Sequence, residues 1–126
     1  MEIKYIFDVF KTEFSALIER FDFIDLAGVA IRESQDPRIS RAGVYIFYKD
    51  GEVLKVGKSL SNARRRALED FRDNTGKIMK NLDGDSGLHL LLFTVDKREN
   101  EHWIIVLEDF FEWKLELKFR SGKNVE

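Results

Sequence analysis

Tyr45, Lys55, Lys58 and the run Arg64-Arg65-Arg66 bring a phenol, two ammonium groups and three guanidiniums into one short stretch. These group types suit a phosphodiester. Guanidinium and ammonium groups bind phosphate oxygens and stabilise the charge that builds on them in a pentacoordinate transition state. A phenol becomes a general base if a neighbouring ammonium lowers its pKa or a neutral lysine takes its proton. Such a site also needs a carboxylate, and Glu108 is the candidate further along the chain. One carboxylate, with waters and a substrate phosphate, can hold Mg²⁺ or Mn²⁺.

The elements that must position these groups follow from the local pattern. Gly43–Tyr48 and Val53–Lys58 are rich in β-branched and aromatic residues and are expected as strands. With Lys49-Asp50-Gly51 as a three-residue loop, Gly51 takes the left-handed position, Tyr48 faces Glu52 and Tyr45 faces Lys55. That is the expected register. A two-residue loop at Asp50-Gly51 would pair Tyr45 with Val56 and put Tyr45 and Lys55 on opposite faces. Ser61 or Asn62 caps a helix running to about Arg72, with Ala63, Ala67, Leu68 and Phe71 as its apolar stripe. Arg66 flanks that stripe, Arg64 falls within it and Arg65 points away.

Leu88–Val95 reads as a third strand, with His89 as a core residue. A long helix is expected from Glu99 to about Phe119, with Trp103, Val106, Leu107, Phe110 and Leu117 on one face. Glu108 falls at the rim of its apolar side, near Ile104, Phe111 and Leu115, so it is the acid aimed at the sheet. Glu112 and Glu116 lie further round, and His102 is a surface residue. At the other end, Ile6, Phe10, Phe14, Leu17, Ile18 and Phe21 recur at helical spacing, which predicts a helix over about 4–21. Periodicity leaves 22–33 undecided, with Gly28 against a helix. A connector with Pro37 follows. The glycine-bearing stretch 74–87 reads as a loop with one helical turn at 77–82.

At 126 residues, with 44% hydrophobic and 13% aromatic residues, the chain has the length of one domain and material for a core. It has no cysteine, which excludes disulfides and thiolate metal sites. No apolar run is long enough to span a membrane and no signal-peptide pattern opens the chain, so the expectation is a cytoplasmic protein without membrane contact. A net charge of −2 argues against a general nucleic-acid binder, but the cluster of Lys55, Lys58, Arg64, Arg65, Arg66 and Arg72 could form a local basic patch.

Together these residues resemble the GIY-YIG endonuclease superfamily. Its first motif is matched by Gly43-Val44-Tyr45 and its second by Lys55-Val56-Gly57-Lys58-Ser59. The arginine helix is matched by Ala63-Arg64-Arg65-Arg66-Ala67-Leu68, where the apolar register selects Arg66. The metal-binding glutamate motif is matched by Val106-Leu107-Glu108-Asp109-Phe110-Phe111, and the end of the family domain by Glu116 to Lys123. Lys55 stands where tyrosine is usual, as in some restriction-type members, and Arg120 stands where asparagine is expected.

The resemblance implies an α+β fold: a three-stranded antiparallel sheet flanked by helices. Residues 42–126 would form the catalytic domain, with 1–41 a helical extension packed on it. It also implies hydrolysis of DNA with Mg²⁺ or Mn²⁺ on Glu108, Tyr45 as base, and Lys55, Lys58 and Arg66 completing the catalytic set. The chain carries no appended DNA-binding module, so a protein partner for targeting is expected. The alternative is a catalytically degenerate domain that binds nucleic acid or protein.

Overall fold

A computed structural model describes residues 1–72 and 78–117. Arg120, and with it the last family-like motif, lies outside the described residues. The fold is α+β. Four strands, β1 (Asp22–Ala27), β2 (Gly43–Lys49), β3 (Glu52–Ser59) and β4 (His89–Thr94), form one antiparallel sheet in the order β1-β4-β2-β3. The helices are α1 (Ile3–Glu13), α2 (Ala30–Glu33), α3 (Ala63–Glu69), α4 (Ile78–Asn81) and α5 (His102–Lys114). No helix among the described residues is long and apolar enough to cross a membrane.

The expected sheet of three strands therefore has a fourth. Residues 22–27 pair along the whole length of β4, from Asp22 opposite Thr94 to Ala27 opposite His89. The first 41 residues thus supply an edge strand as well as helices. Gly28 ends β1 at φ +59° and donates its N–H to the Leu88 carbonyl, 2.9 Å. The expected long N-terminal helix breaks at Phe14, beyond which Ser15–Arg20 form a 3₁₀ segment.

Both sheet faces are buried. Val44, Ile46, Val56, Leu91 and Phe93 face α1 and α5. Tyr45, Phe47, Leu54, Leu90 and Leu92 face α3 and the short elements around Ile31, Ile39 and Met79. Phe93 anchors the first side: its ring centre lies 5.0 Å from Phe10, 4.9 Å from Phe23 and 5.1 Å from Phe111. On the second side the alanines do what their size allows. Ala63 and Ala67 are fully buried, so α3 sits close against β2 and β3.

The buried residues of α5 are Ile104, Leu107 and Phe111, with Leu115 just past its end. Its core face is therefore turned from the expected one, and Val106 is exposed. Leu117, expected on this helix, falls beyond its end at Lys114. It lies instead in an extended segment that bridges Val53 in parallel. This orientation predicts that Leu107→Ala costs about 2–5 kcal/mol. Val106→Ala should stay within about 0.5 kcal/mol of wild type. Urea unfolding of the two variants measures both, and comparable losses would mean the helix is turned wrongly.

Candidate functional site

Neither register expected for the β2–β3 hairpin is the one formed. The loop is the two-residue one: Lys49 pairs with Glu52, and Asp50 (φ +53°) and Gly51 (φ +79°) both occupy the left-handed region. Hairpin turns of this primed type match the strand twist. A register shift then falls between Phe47 and Tyr48, so that Phe47 pairs with Lys55, Ile46 with Val56 and Tyr45 with Gly57. The extra residue is Leu54. A bulge of this kind sets two residues against one, and it returns Lys55 to the face that holds Tyr45 and Phe47. Tyr45 and Lys55 are therefore diagonal neighbours on one face rather than directly opposed.

Gly57 explains why a glycine is needed at this position. A Cβ there would overlap the ring and hydroxyl of Tyr45. The phenol lies flat across the strand, in space that only glycine leaves open.

The phenol points to a residue that the sequence reading passed over. Tyr45 Oη donates to Asp70 Oδ2 at 2.8 Å. Lys55 Nζ is 3.0 Å from Asp70 Oδ1, and Arg66 donates to the same oxygen at 3.1 Å. Asp70 is 2% exposed and sits at the C-terminal cap of α3. A carboxylate there opposes the helix dipole and loses its hydration. Three donors, two of them cationic, offset both costs. The only sequence signal for Asp70 is its spacing of four from Arg66, the ion-pairing distance on a helix.

Asp70 changes what Tyr45 can do. Burial, together with the Asp70 charge, pushes the phenol pKa well above its ordinary value of 10, and Glu108 adds in the same direction. Arg66 pulls it down, but by less than burial and Asp70 raise it. Burial and Asp70 favour the protonated phenol, which donates its hydrogen bond to that carboxylate.

The other two site residues meet each other. Lys58 Nζ donates to Glu108 Oε1 at 2.9 Å, and the Glu108 side chain is 12% exposed. By strand alternation Lys58 lies on the α5 face with Val44 and Val56, while Tyr45 and Lys55 lie on the α3 face. Since β3 is an edge strand, the two groups sit either side of it, close enough for Glu108 to act on the Tyr45 phenol.

The remaining candidates are distributed elsewhere. Arg64 donates to the backbone carbonyls of Ile31, Arg32 and Ser34 at 2.9–3.4 Å, closing the C-terminal end of α2. Arg65 and Arg72 are exposed. His89 is half-buried at a strand end, 2.8 Å from Asp25, rather than in the core. The expected basic patch is therefore largely paired within the protein. No cluster of three or more acidic, histidine or cysteine ligands occurs among the described residues. A hard cation could take Glu108 as its protein ligand, with oxygen donors from water and phosphate, in competition with Lys58, which bonds Oε1 of that carboxylate.

No protein-family model, curated protein or solved structure matches the chain.

Two outcomes follow. Gly57→Ala should displace the phenol from Asp70 and destabilise the fold by about 1–3 kcal/mol. The Tyr45 ring resonances should shift with it, and unchanged rings would contradict the packing. The second concerns pH. A phenol whose folded pKa lies above its unfolded value adds stability that is fully present below about pH 10. That stability is lost as pH rises from there toward the folded value. Alkaline destabilisation above about pH 10 should therefore be shallower in Tyr45→Phe than in wild type, and denaturant midpoints across that range test it.

Proposed function

We propose that the protein is a metal-dependent endonuclease of GIY-YIG type that hydrolyses DNA phosphodiesters. The observation that supports it most is the convergence of Tyr45, Lys55 and Arg66 on one buried carboxylate, from two strands and a helix, with Glu108 beside them. Residues distant in sequence gather a phenol, two cations and two carboxylates around one strand edge.

Under this reading Glu108 holds Mg²⁺ or Mn²⁺, which would polarise the phosphoryl group and stabilise the leaving oxygen. A cation on Glu108 weakens the hold of that carboxylate on Lys58, whose ammonium can then contact phosphate. Arg66, whose side chain is 43% exposed, reaches toward the non-bridging oxygens. Tyr45 can take a proton from the attacking water only by passing its own to Asp70, 2.8 Å away. Lys55 serves to hold Asp70 and keep that path aligned.

A second reading has its own observation. Tyr45 is 1% exposed and its phenol is held protonated, which suits a degenerate domain that binds nucleic acid or a protein without cutting.

Nicking of a labelled DNA panel (duplex, flap, four-way junction, single strand) separates the two. Wild type should nick at least one member in Mg²⁺ or Mn²⁺. Glu108→Ala should abolish nicking and leave metal-free binding intact. Arg66→Ala should lower cleavage by about 10²–10³-fold and weaken binding as well. Retained binding with no cleavage by wild type on any member would establish the binder. Arg120→Asn tests whether the arginine at the end of the domain is what silences it.

A further inference from the structure

Asp70 is the acceptor for every positive or protic group that a phosphate would need on the α3 side of this site. Its two oxygens take the Tyr45 hydroxyl at 2.8 Å, the Lys55 ammonium at 3.0 Å and the Arg66 guanidinium at 3.1 Å. A non-bridging phosphate oxygen asks for the same donors. We propose that Asp70 is a built-in counter-anion of the phosphate site: phosphate binds by exchanging partners with Asp70, not by entering an open cationic pocket. The inference rests on the phosphodiester reading of the site but not on catalysis.

Exposure says which partner exchanges. The Asp70 side chain is 3% exposed, that of Lys55 16%, and that of Arg66 43%. Lys55 and Tyr45 are walled in by β2, β3 and α3 and stay on the carboxylate. Arg66 sits on the outer flank of α3, with Glu69 at 3.7 Å as a second, exposed partner. Of the three donors it is the one exposed enough to turn from Asp70 to a ligand. Asp70 then keeps two of its three donors, so the buried charge is never left bare. Arg66 is the arm that moves, and Asp70, Lys55 and Tyr45 are the frame it leaves and returns to.

The proposal makes an unusual demand on a substitution that removes a well-bonded buried carboxylate. Asp70→Asn leaves Lys55 without its counter-charge and Arg66 with only the exposed Glu69 at 3.7 Å, and the affinity for phosphate should rise. For a unit charge about 7 Å away, Coulomb's law gives roughly threefold at the dielectric of water and roughly fiftyfold at that of a protein surface. A group that only holds the fold together would give the opposite result, because loosening the site weakens binding.

The test measures metal-free binding of a short DNA duplex and of inorganic phosphate to wild type, Asp70→Asn, Arg66→Ala and the double variant Asp70→Asn/Arg66→Ala. Folding of each is checked by circular dichroism and thermal melting. The expected result is a gain in Asp70→Asn that is mostly absent when Arg66 is also removed. A gain with both probes identifies the phosphate group as what is recognised; a gain with the duplex alone assigns recognition to the diester backbone. Folded Asp70→Asn with unchanged or weaker binding of both probes overturns the proposal. Should Asp70→Asn not fold, Lys55→Met/Asp70→Asn removes one buried charge of each sign and releases Arg66 from its buried partner, leaving the exposed Glu69. Binding at least as tight as wild type supports the counter-anion, and weaker binding overturns it. None of these readouts uses nicking. A gain in a protein that cuts nothing would sink the endonuclease reading and leave the counter-anion standing.

Discussion

A carboxylate buried to 2% exposure at the end of a helix must be surrounded by donors, and Asp70 sets that condition for one side of this protein. Tyr45 has to lie flat across β3 to reach it, which requires glycine at position 57. Lys55 has to leave the strand on the same face as Tyr45, which requires the bulge at Leu54. The guanidinium has to come from four residues earlier on α3, which selects Arg66 over its two neighbours. Ala63 and Ala67 bring α3 near enough to the sheet for the bonds from Tyr45 and Lys55 to form. The geometry of the candidate site is largely the solution to a solvation problem.

The edge position of β3 explains how the two halves of the site communicate. In a central strand, residues of opposite parity are separated by the sheet itself. Here the Lys58–Glu108 pair stands on the α5 face and the Tyr45–Asp70 pair on the α3 face, with one glycine-bearing strand between them. The absent side chain at Gly57 thins the sheet where the two groups approach. Among the groups that raise the phenol pKa, Glu108 acts least, behind burial and Asp70.

Much of this was legible in the sequence because periodicity fixes faces. Alternation placed Tyr45 on a strand face, the alanine stripe selected Arg66, and the angle of 100° per residue turned Glu108 toward the sheet. What escaped has identifiable causes. Hydrogen-bond register is not encoded by composition. Both loop lengths were compatible with Asp50-Gly51, and a bulge has no reliable residue signature. Asp70 reads as a solvated acid at a helix end, and only the tertiary structure shows that it is enclosed. The sequence leaves β1 undecided because its alternation, with Ile24 and Leu26 inward and Asp25 and Ala27 outward, lasts too few residues to be told from a short helical turn. Leu117 was misplaced because an apolar residue can reach the same core from an extended segment as from a helix.

Pairing within the protein also reconciles the acidic balance of the chain with the proposed phosphate-directed site. The net charge is −2, and the cations that would attract a polyanion are mostly engaged: Lys55 and Arg66 with Asp70, Lys58 with Glu108, Arg64 with backbone carbonyls. Long-range attraction of nucleic acid is therefore weak, because paired charges cancel beyond a few ångströms in salt. Within contact range the balance differs. Under the proposed exchange, a phosphate that reaches Arg66 draws the guanidinium from Asp70, beside a phenol and an ammonium whose positions are fixed by burial. Under the proposed function the site gives up ground-state affinity and keeps orientation. Catalysis rewards that exchange, because only interactions stronger in the transition state than in the bound substrate raise the rate.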